Sequence, residues 1–317
     1  MHRIAFYGKG GIGKSTIATS ASMSLASRGM RVLHVGCDPK HDSSLVLVKD
    51  TDHFKTVIDQ IFDGAEDLEP EDLIMEGIQG ISCVESGGPQ AGRGCGGRAV
   101  SRSFELFEEI DLVDEDAYDA TVYDVLGDVV CGGFAAPMRK SAGTKVVVVL
   151  SEELMAAYAA NRIAAACALF ARNGITLAGL VVNLKHNRAD LAPIARFAEA
   201  IGTRVLGVLP RDPLVCEAEL YRKCIVDYAP DSPVAVGIRE IVDKVLALDA
   251  SDPERKASAT AISSLAARVR AHDADVWILH TWARESTYGP KGWSHDAMHA
   301  QLATGVGGRC RALRVKG

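Results

Sequence analysis

The chain of 317 residues is 48% hydrophobic and 24% charged with a formal net charge of -6, a balance that lets it bury a full core and gives no support to a nucleic-acid reader. No apolar run approaches the ~20 residues of a membrane span and no charged, apolar and small-residue leader opens the chain, so a cytoplasmic protein with neither membrane nor nucleic acid among its partners is expected. Eight cysteines in such a chain point to metal, redox chemistry or core packing and not to a disulfide framework, and their spacing has to decide.

The apolar run at residues 4–7 reads as a strand, and Gly8-Lys9-Gly10-Gly11-Ile12-Gly13-Lys14-Ser15 separates it from a helix-compatible run at 16–27. That arrangement is a phosphate cradle. Glycines let successive backbone N–H groups converge on an anion, the helix N-terminus adds its dipole, Lys14 brings a point charge to the outer phosphates, and the Ser15 hydroxyl is placed to ligate Mg2+. Thr16 completes the nucleotide-binding set. A glycine-rich turn without a ligand would need neither Lys14 nor Ser15. Lys9 is an additional lysine whose short tether keeps it off its own phosphates, so it is expected to reach a nucleotide bound across a dimer interface.

The run at 32–35 leads into Gly36-Cys37-Asp38-Pro39-Lys40-His41-Asp42, which has the composition of a switch: Pro39 fixes φ, and the flanking acids address Mg2+ and an attacking water. After the run at 121–123 comes Asp124-Val125-Leu126-Gly127-Asp128, an acid at a strand end, placed to bind Mg2+ through water, followed by a glycine that is free to move when the γ-phosphate leaves.

Two cysteines stand apart from the others by the glycines around them, Cys95 in Gly92-Arg93-Gly94-Cys95-Gly96-Gly97 and Cys131, followed by two glycines, in Asp128-Val129-Val130-Cys131-Gly132-Gly133. Such glycines let backbone approach an inorganic cluster and donate N–H groups to its sulfurs. A 4Fe-4S cube wants four thiolates, and two chains related by a two-fold would offer them. Cys83 in an expected strand, Cys167 in a helical run, Cys37 at a strand end, Cys216 and Cys224 in a separate segment and Cys310 near the end have no such setting. Asp124 and Cys131 are seven residues apart, which is at most about 25 Å of extended chain or about 10 Å of helix, so movement of the switch must reach the cluster ligand.

Further apolar runs at 146–150, 177–182 and 205–208 alternate with helical patterns at 153–172 and 189–201. Together they indicate a doubly wound α/β domain, a mostly parallel sheet with helices on both faces. Ligands of such sheets sit at the carboxyl ends of strands, where Asp38, Asp124 and Asn183 fall, so one crevice collects them. Composition shifts near residue 250: residues 251–317 hold 10 Lys and Arg against 6 Asp and Glu, with all three tryptophans, Trp277, Trp282 and Trp293. The expected organisation is a P-loop and iron–sulfur domain over 1–250 and a basic extension over 251–317, either a helix and tail packed on the domain or a docking device.

At Gly8 to Ser15, Cys37 to Asp42, Glu85-Ser86-Gly87-Gly88-Pro89 through Cys95, Asp124 to Gly133 and Tyr228-Ala229-Pro230-Asp231-Ser232, the chain resembles the iron protein of nitrogenase and of nitrogenase-like reductases. The resemblance covers roughly residues 3–250. It implies a homodimer with one 4Fe-4S cluster held by Cys95 and Cys131 of each subunit. MgATP on each subunit would drive one-electron transfer from a low-potential ferredoxin or flavodoxin to a heteromeric catalytic component. It also implies phosphate and Mg2+ roles for Lys14 and Ser15, a trans-acting Lys9, Asp38 and Lys40 in the first switch, Asp124 in the second, and Asn183, Pro210, Asp212 and Glu219 near the adenosine. Cys216 stands where many nitrogenase iron proteins have Gln. Arg98 matches a docking-surface arginine that is ADP-ribosylated in some members. His41, Ala91 through Gly97 and Gly133-Phe134-Ala135-Ala136-Pro137 resemble the light-independent protochlorophyllide reductase branch, while Arg98 and Glu85-Ser86-Gly87 resemble nitrogenase. The mixture ranks methylthio-alkane reductase first among the members. Partition and septum-positioning ATPases share the cradle and the sheet, and Cys95 and Cys131 set the chain apart from them.

Overall fold

Valine-rich segments such as Lys145–Leu150, buried along their whole length, are stable only with cover on both faces, and each buried valine contributes roughly 1.5–3 kcal/mol. The computed structural model describes residues 1–64, 67–89, 94–127, 133 and 135–248. Cys131, Asp128, Cys310 and the extension at 251–317 lie outside the described residues.

The strands are β1 (His2–Gly8), β2 (Val32–Cys37), β3 (Met75–Glu76), β4 (Ser82–Glu85), β5 (Ala120–Val125), β6 (Lys145–Leu150), β7 (Thr176–Asn183) and β8 (Val205–Leu209). They form one sheet in the order β3-β4-β2-β5-β1-β6-β7-β8. Pairing is parallel except for the short edge strand β3, which runs antiparallel to β4. The helices are α1 (Lys14–Ala26), α2 (Val57–Phe62), α3 (Pro70–Leu73), α4 (Gly96–Glu109), α5 (Ala136–Lys140), α6 (Leu154–Leu169), α7 (Ala192–Ala200), α8 (Pro213–Leu220), α9 (Ile225–Tyr228) and α10 (Pro233–Leu246), and they cover both faces. α1 packs against β5 and α10, while the small residues of α6, Ala156, Ala160 and Ala164, let it lie close on β6 and β1. No helix of the described residues is long and apolar enough to cross a membrane.

Every strand expected from apolar runs lies within an observed one, with two informative differences. β5 continues to Val125, so Asp124 sits inside the strand and not beyond it. The helical pattern at 153–172 breaks after Leu169, where a short 3-10 turn at Ala171–Asn173 ends on Gly174 with φ of 75°. Of the helices, α1, α6 and α7 answer to helical patterns in the sequence; of the others, α4 and α10, at 14 residues each, are the longest. The start of α10 carries a legible signal: Ser232 accepts from the Ala235 amide at 3.2 Å, and Pro233 occupies the first turn where a missing N–H costs nothing.

Since β5 lies between β1 and β2, the connection through α1 passes over it. The carboxyl ends of β1, β2 and β5 are therefore neighbours. A crevice opens where the order of a doubly wound sheet reverses, and the polar residues of these strand ends share it.

Candidate functional site

The loop between β1 and α1 is shaped by its glycines. Gly13 holds a left-handed φ of 86°, and a β-carbon there would stand 2.4 Å from Asn183 Nδ2, which donates to the Ile12 carbonyl at 2.8 Å. Above Gly10 and Gly11 there is open space. Lys14, 8% exposed, brings Nζ to 3.5 Å from Asp124 Oδ1. Ser15 and Thr16 are half-buried, and Thr16 Oγ1 donates to Glu219 Oε1 at 3.1 Å, so Glu219 touches the cradle's own helix. Lys9 at the rim helps lower Glu153, whose main partner is Lys185 at 2.8 Å.

The two acidic segments converge on this cradle. Asp38 is nearly buried; its Oδ1 accepts from the Lys40 amide at 2.9 Å, and Oδ2 lies 3.8 Å from Lys40 Nζ. Asp124, 1% exposed, accepts from Ser43 Oγ on Oδ2 at 2.7 Å, while its buried Oδ1 accepts no hydrogen bond. A carboxylate oxygen left this way beside a lysine and a serine-bearing phosphate loop is the donor chemistry that a water-ligated Mg2+ wants. Nucleotide phosphates and Mg2+ thus fit the residues present. The second segment also touches the first loop: a β-carbon on Gly127 would meet the Gly10 amide nitrogen at 2.4 Å.

Asn183, Lys185, Pro210, Asp212, Val215 and Cys216 line a cavity of about 810 Å3 beside the cradle. Asp212 is partly committed, since its Oδ1 caps α8 by accepting from the Leu214 amide at 2.9 Å. A second cavity, about 590 Å3, opens below Ser15 and Thr16 and includes Asp42, Ser43, Glu219 and Arg222. Pro210, Asp212 and Asn183 therefore meet in one cavity, and Glu219 faces the other.

Cys95 is exposed at the N-cap of α4, and its carbonyl accepts from the Arg98 and Ala99 amides. Arg98 is exposed in the first turn. Gly133 is packed so tightly on Gly97 that a β-carbon would lie 1.7 Å from the Gly97 carbonyl oxygen. The segments that follow Cys95 and Cys131 therefore meet. Pro39 of the first acidic segment fits against Gly88 and Gly96, where added β-carbons would come within 2.5 and 2.6 Å of its ring. The spacing in the sequence ties an acidic segment to a cysteine only through Asp124 and Cys131; the Pro39 contact ties the segment of Asp38 to the turn that follows Cys95.

Polar groups missed in the sequence lie inside strands. Glu85 at the end of β4 is fully buried; Oε1 accepts from the Ser44 amide at 2.6 Å and from Ser44 Oγ at 2.7 Å, and Oε2 has no hydrogen-bond partner. Burial pushes its carboxyl up to about 8 against the pull of Ser44. His34 in β2 is likewise enclosed, and burial lowers it to about 4. A charged-type residue within an otherwise apolar strand was the available signal.

These two groups predict a pH dependence. From 4.5 to about 8, folded Glu85 keeps a proton that the unfolded chain has released, so stability falls as pH rises through that window. From about 4 to 6.5 the unfolded chain protonates His34 and the folded chain does not, so stability rises with pH there. The slopes cancel where they overlap and leave a net fall from 6.5 to about 8, on the order of 1 kcal/mol per pH unit. Urea midpoints should drop across that interval, and Glu85→Gln should flatten the drop; an undiminished slope in that variant would remove Glu85 as its source.

A family model described as 4Fe-4S iron sulfur cluster binding proteins, NifH/frxC family, matches residues 2–268. The chain is 40% identical over 250 residues to a nitrogenase iron protein of Methanospirillum hungatei, covering 78% of this chain and 88% of that one. Among solved structures, the cell division ATPase MinD of Pyrococcus furiosus superposes with a TM-score of 0.62 at 23% identity over 78% of this chain and all of that one. A ParA family ATPase of Chlorobium tepidum gives 0.59 at 17% identity, covering 78% and 99%. At these identities the two structures share the fold alone.

Proposed function

The chain belongs to the 4Fe-4S iron–sulfur cluster binding proteins of the NifH/frxC family, and from that premise we propose that it is the ATP-hydrolysing, one-electron-donating reductase component of a nitrogenase-like two-component system, acting as a cluster-bridged homodimer. The contact of Pro39 with Gly96, beside Cys95, carries this assignment, because it joins a nucleotide-facing segment to the helix bearing a candidate cluster ligand. When bound, the 4Fe-4S cluster supplies a one-electron couple and MgATP the hydrolysable anhydride that drives the switches.

The chain's own groups do the rest. Lys14 holds the outer phosphates, the Ser15 hydroxyl holds Mg2+, and Asp124 Oδ1 addresses the metal through water. Asp38, steadied by Lys40, orients the attacking water, and Lys9 supplies charge across the dimer interface to the developing transition state. Asn183, Pro210 and Asp212 receive the adenosine in the cavity that Cys216 also lines, and Glu219 acts from the neighbouring cavity through its bond with Thr16. Cys95 and Cys131 of each subunit hold the cluster. The test is iron chelation: MgATP should speed removal of the cluster by a chelator in the isolated protein. A rate indifferent to MgATP would separate nucleotide from cluster and overturn the assignment.

The exposure of Arg98 one turn from Cys95 supports a docking surface for the catalytic component on this end of α4, and the donor we infer is a ferredoxin or flavodoxin. Arg98→Glu should keep its cluster and MgATP-dependent chelation, yet lose electron delivery by roughly tenfold or more, since a reversed charge in an interface costs on the order of 1–3 kcal/mol. Delivery at the parent rate would move the docking surface elsewhere, to the basic extension for instance.

Within the family we assign the chain to methylthio-alkane reductase, on its mixture of nitrogenase-like and protochlorophyllide-reductase-like motifs. The 40% identical nitrogenase iron protein favours nitrogen fixation as the second reading. Ethyl methyl sulfide, dinitrogen and protochlorophyllide, each offered with its matching catalytic component, separate the systems. Turnover with the dinitrogen-reducing component alone would reverse the order.

A further inference from the structure

Four enclosed polar side chains form a line from the phosphate-binding helix to the strand carrying Asp124. Ser22 of α1 and His34 of β2 are fully buried, Ser43 is 2% exposed and Asp124 1%. Ser22 Oγ lies 2.9 Å from His34 Nδ1, His34 Nε2 lies 2.9 Å from Ser43 Oγ, and Ser43 Oγ lies 2.7 Å from Asp124 Oδ2.

The direction of these bonds follows from proton counting. A carboxylate only accepts, so Ser43 donates its one proton to Asp124. Ser43 Oγ must then accept from His34 Nε2–H, and the bare Nδ1 accepts from the Ser22 hydroxyl. The neutral tautomer is thereby fixed, which agrees with the downward shift that burial gives His34. Without the imidazole, the Ser43 hydroxyl could rotate away and Asp124 would lose the bond that sets which oxygen faces Lys14.

We propose that His34 is a positioning residue for the Mg2+-nucleotide site: through Ser43 it holds Asp124 Oδ2 and so keeps Oδ1 turned toward Lys14 and the cradle. This rests on the assignment of Asp124 to that site. The side-chain hydrogen bonds of Ser22 and His34 run to each other and on to Ser43, so both act through Ser43, which also begins the short 3-10 turn that follows the first switch. One side-chain chain therefore ties the first switch to the second.

The test compares two amides at position 34. Glutamine places an N–H near the Nε2 position and can still reach Ser43, whereas asparagine is too short and reaches only toward Ser22. ADP affinity is measured by calorimetry on the cluster-bearing dimer, with Mg2+ and with EDTA. His34→Asn should lose about tenfold of the affinity that Mg2+ adds, the scale of one hydrogen bond to a charged group, while binding in EDTA is unchanged. His34→Gln should stay within about twofold of the parent, although both variants lose thermal stability to a similar degree. Ser43→Ala, which removes the hydroxyl itself, should match His34→Asn and serves if either histidine variant does not fold. Equal losses in the Asn and Gln variants, or a full Mg2+ effect in His34→Asn or Ser43→Ala, would overturn the positioning role alone. A parent protein whose ADP affinity ignores Mg2+ would overturn the nucleotide assignment, and this inference with it.

Discussion

Replacement of either Cys95 or Cys131 by alanine should leave the anaerobically purified protein close to iron-free, where the parent carries about four irons per dimer. Cys95 sits exposed at the N-cap of a 14-residue helix, where its sulfur is open to an inorganic cluster. A cluster deprived of one ligand from each subunit keeps only two thiolates in the dimer, too few to hold a cube. Cys167 is the control: burial pushes its thiol up to about 12, and it packs inside α6. Cys167→Ala should therefore retain full iron at some cost in stability. Iron content is the measurement, and retention of four irons by Cys131→Ala would strike that residue from the ligand set.

Lys14→Ala should weaken MgATP binding by roughly a hundredfold, the upper range for a charged group hydrogen-bonded to phosphate. It also leaves Asp124 buried without its cation, at a cost of about 3–5 kcal/mol, so the unfolding midpoint must be followed with the affinity. Lys9→Ala should behave differently. It should bind MgATP nearly as the parent does and hydrolyse it roughly a thousandfold more slowly, the scale of a charge delivered in trans to phosphoryl transfer. Mixed dimers decide between the two roles. If a dimer carrying one Lys9→Ala chain hydrolyses ATP at the full parental rate, Lys9 does not act across the interface.

The parallel sheet was legible because its central strands are buried on both faces and so read as unbroken apolar runs. The cradle was legible because its glycines, Lys14 and Ser15 are contiguous in sequence. What escaped is spread over distant segments. Glu85 and Ser44 are 41 positions apart, and Ser43 and Asp124 are 81 apart; only the pairing of β2 with β4 and β5 makes them neighbours. α4 escaped for another reason: Gly96 and Gly97 at its start argue against a helix on propensity, yet a β-carbon on Gly96 would press into Pro39, and Gly133 lies directly on the Gly97 backbone. Local helix preference yielded there to close packing.

The seating of the Pro39 ring against Gly88 and Gly96 has a reciprocal side. Proline has a fixed φ and no side-chain rotamers to absorb a displacement, so under the proposed function a shift of the Pro39 segment would be passed to the first turn of α4. Free-energy coupling between two sites has no preferred direction. On that reading, a docked acceptor or a change in cluster charge that steadies the turn would alter nucleotide affinity by the same factor with which nucleotide alters the docking or the charge equilibrium in return. The dimer would then sense its partner through the proline as well as signal to it, and the oxidation state of the iron would be readable at the phosphate site.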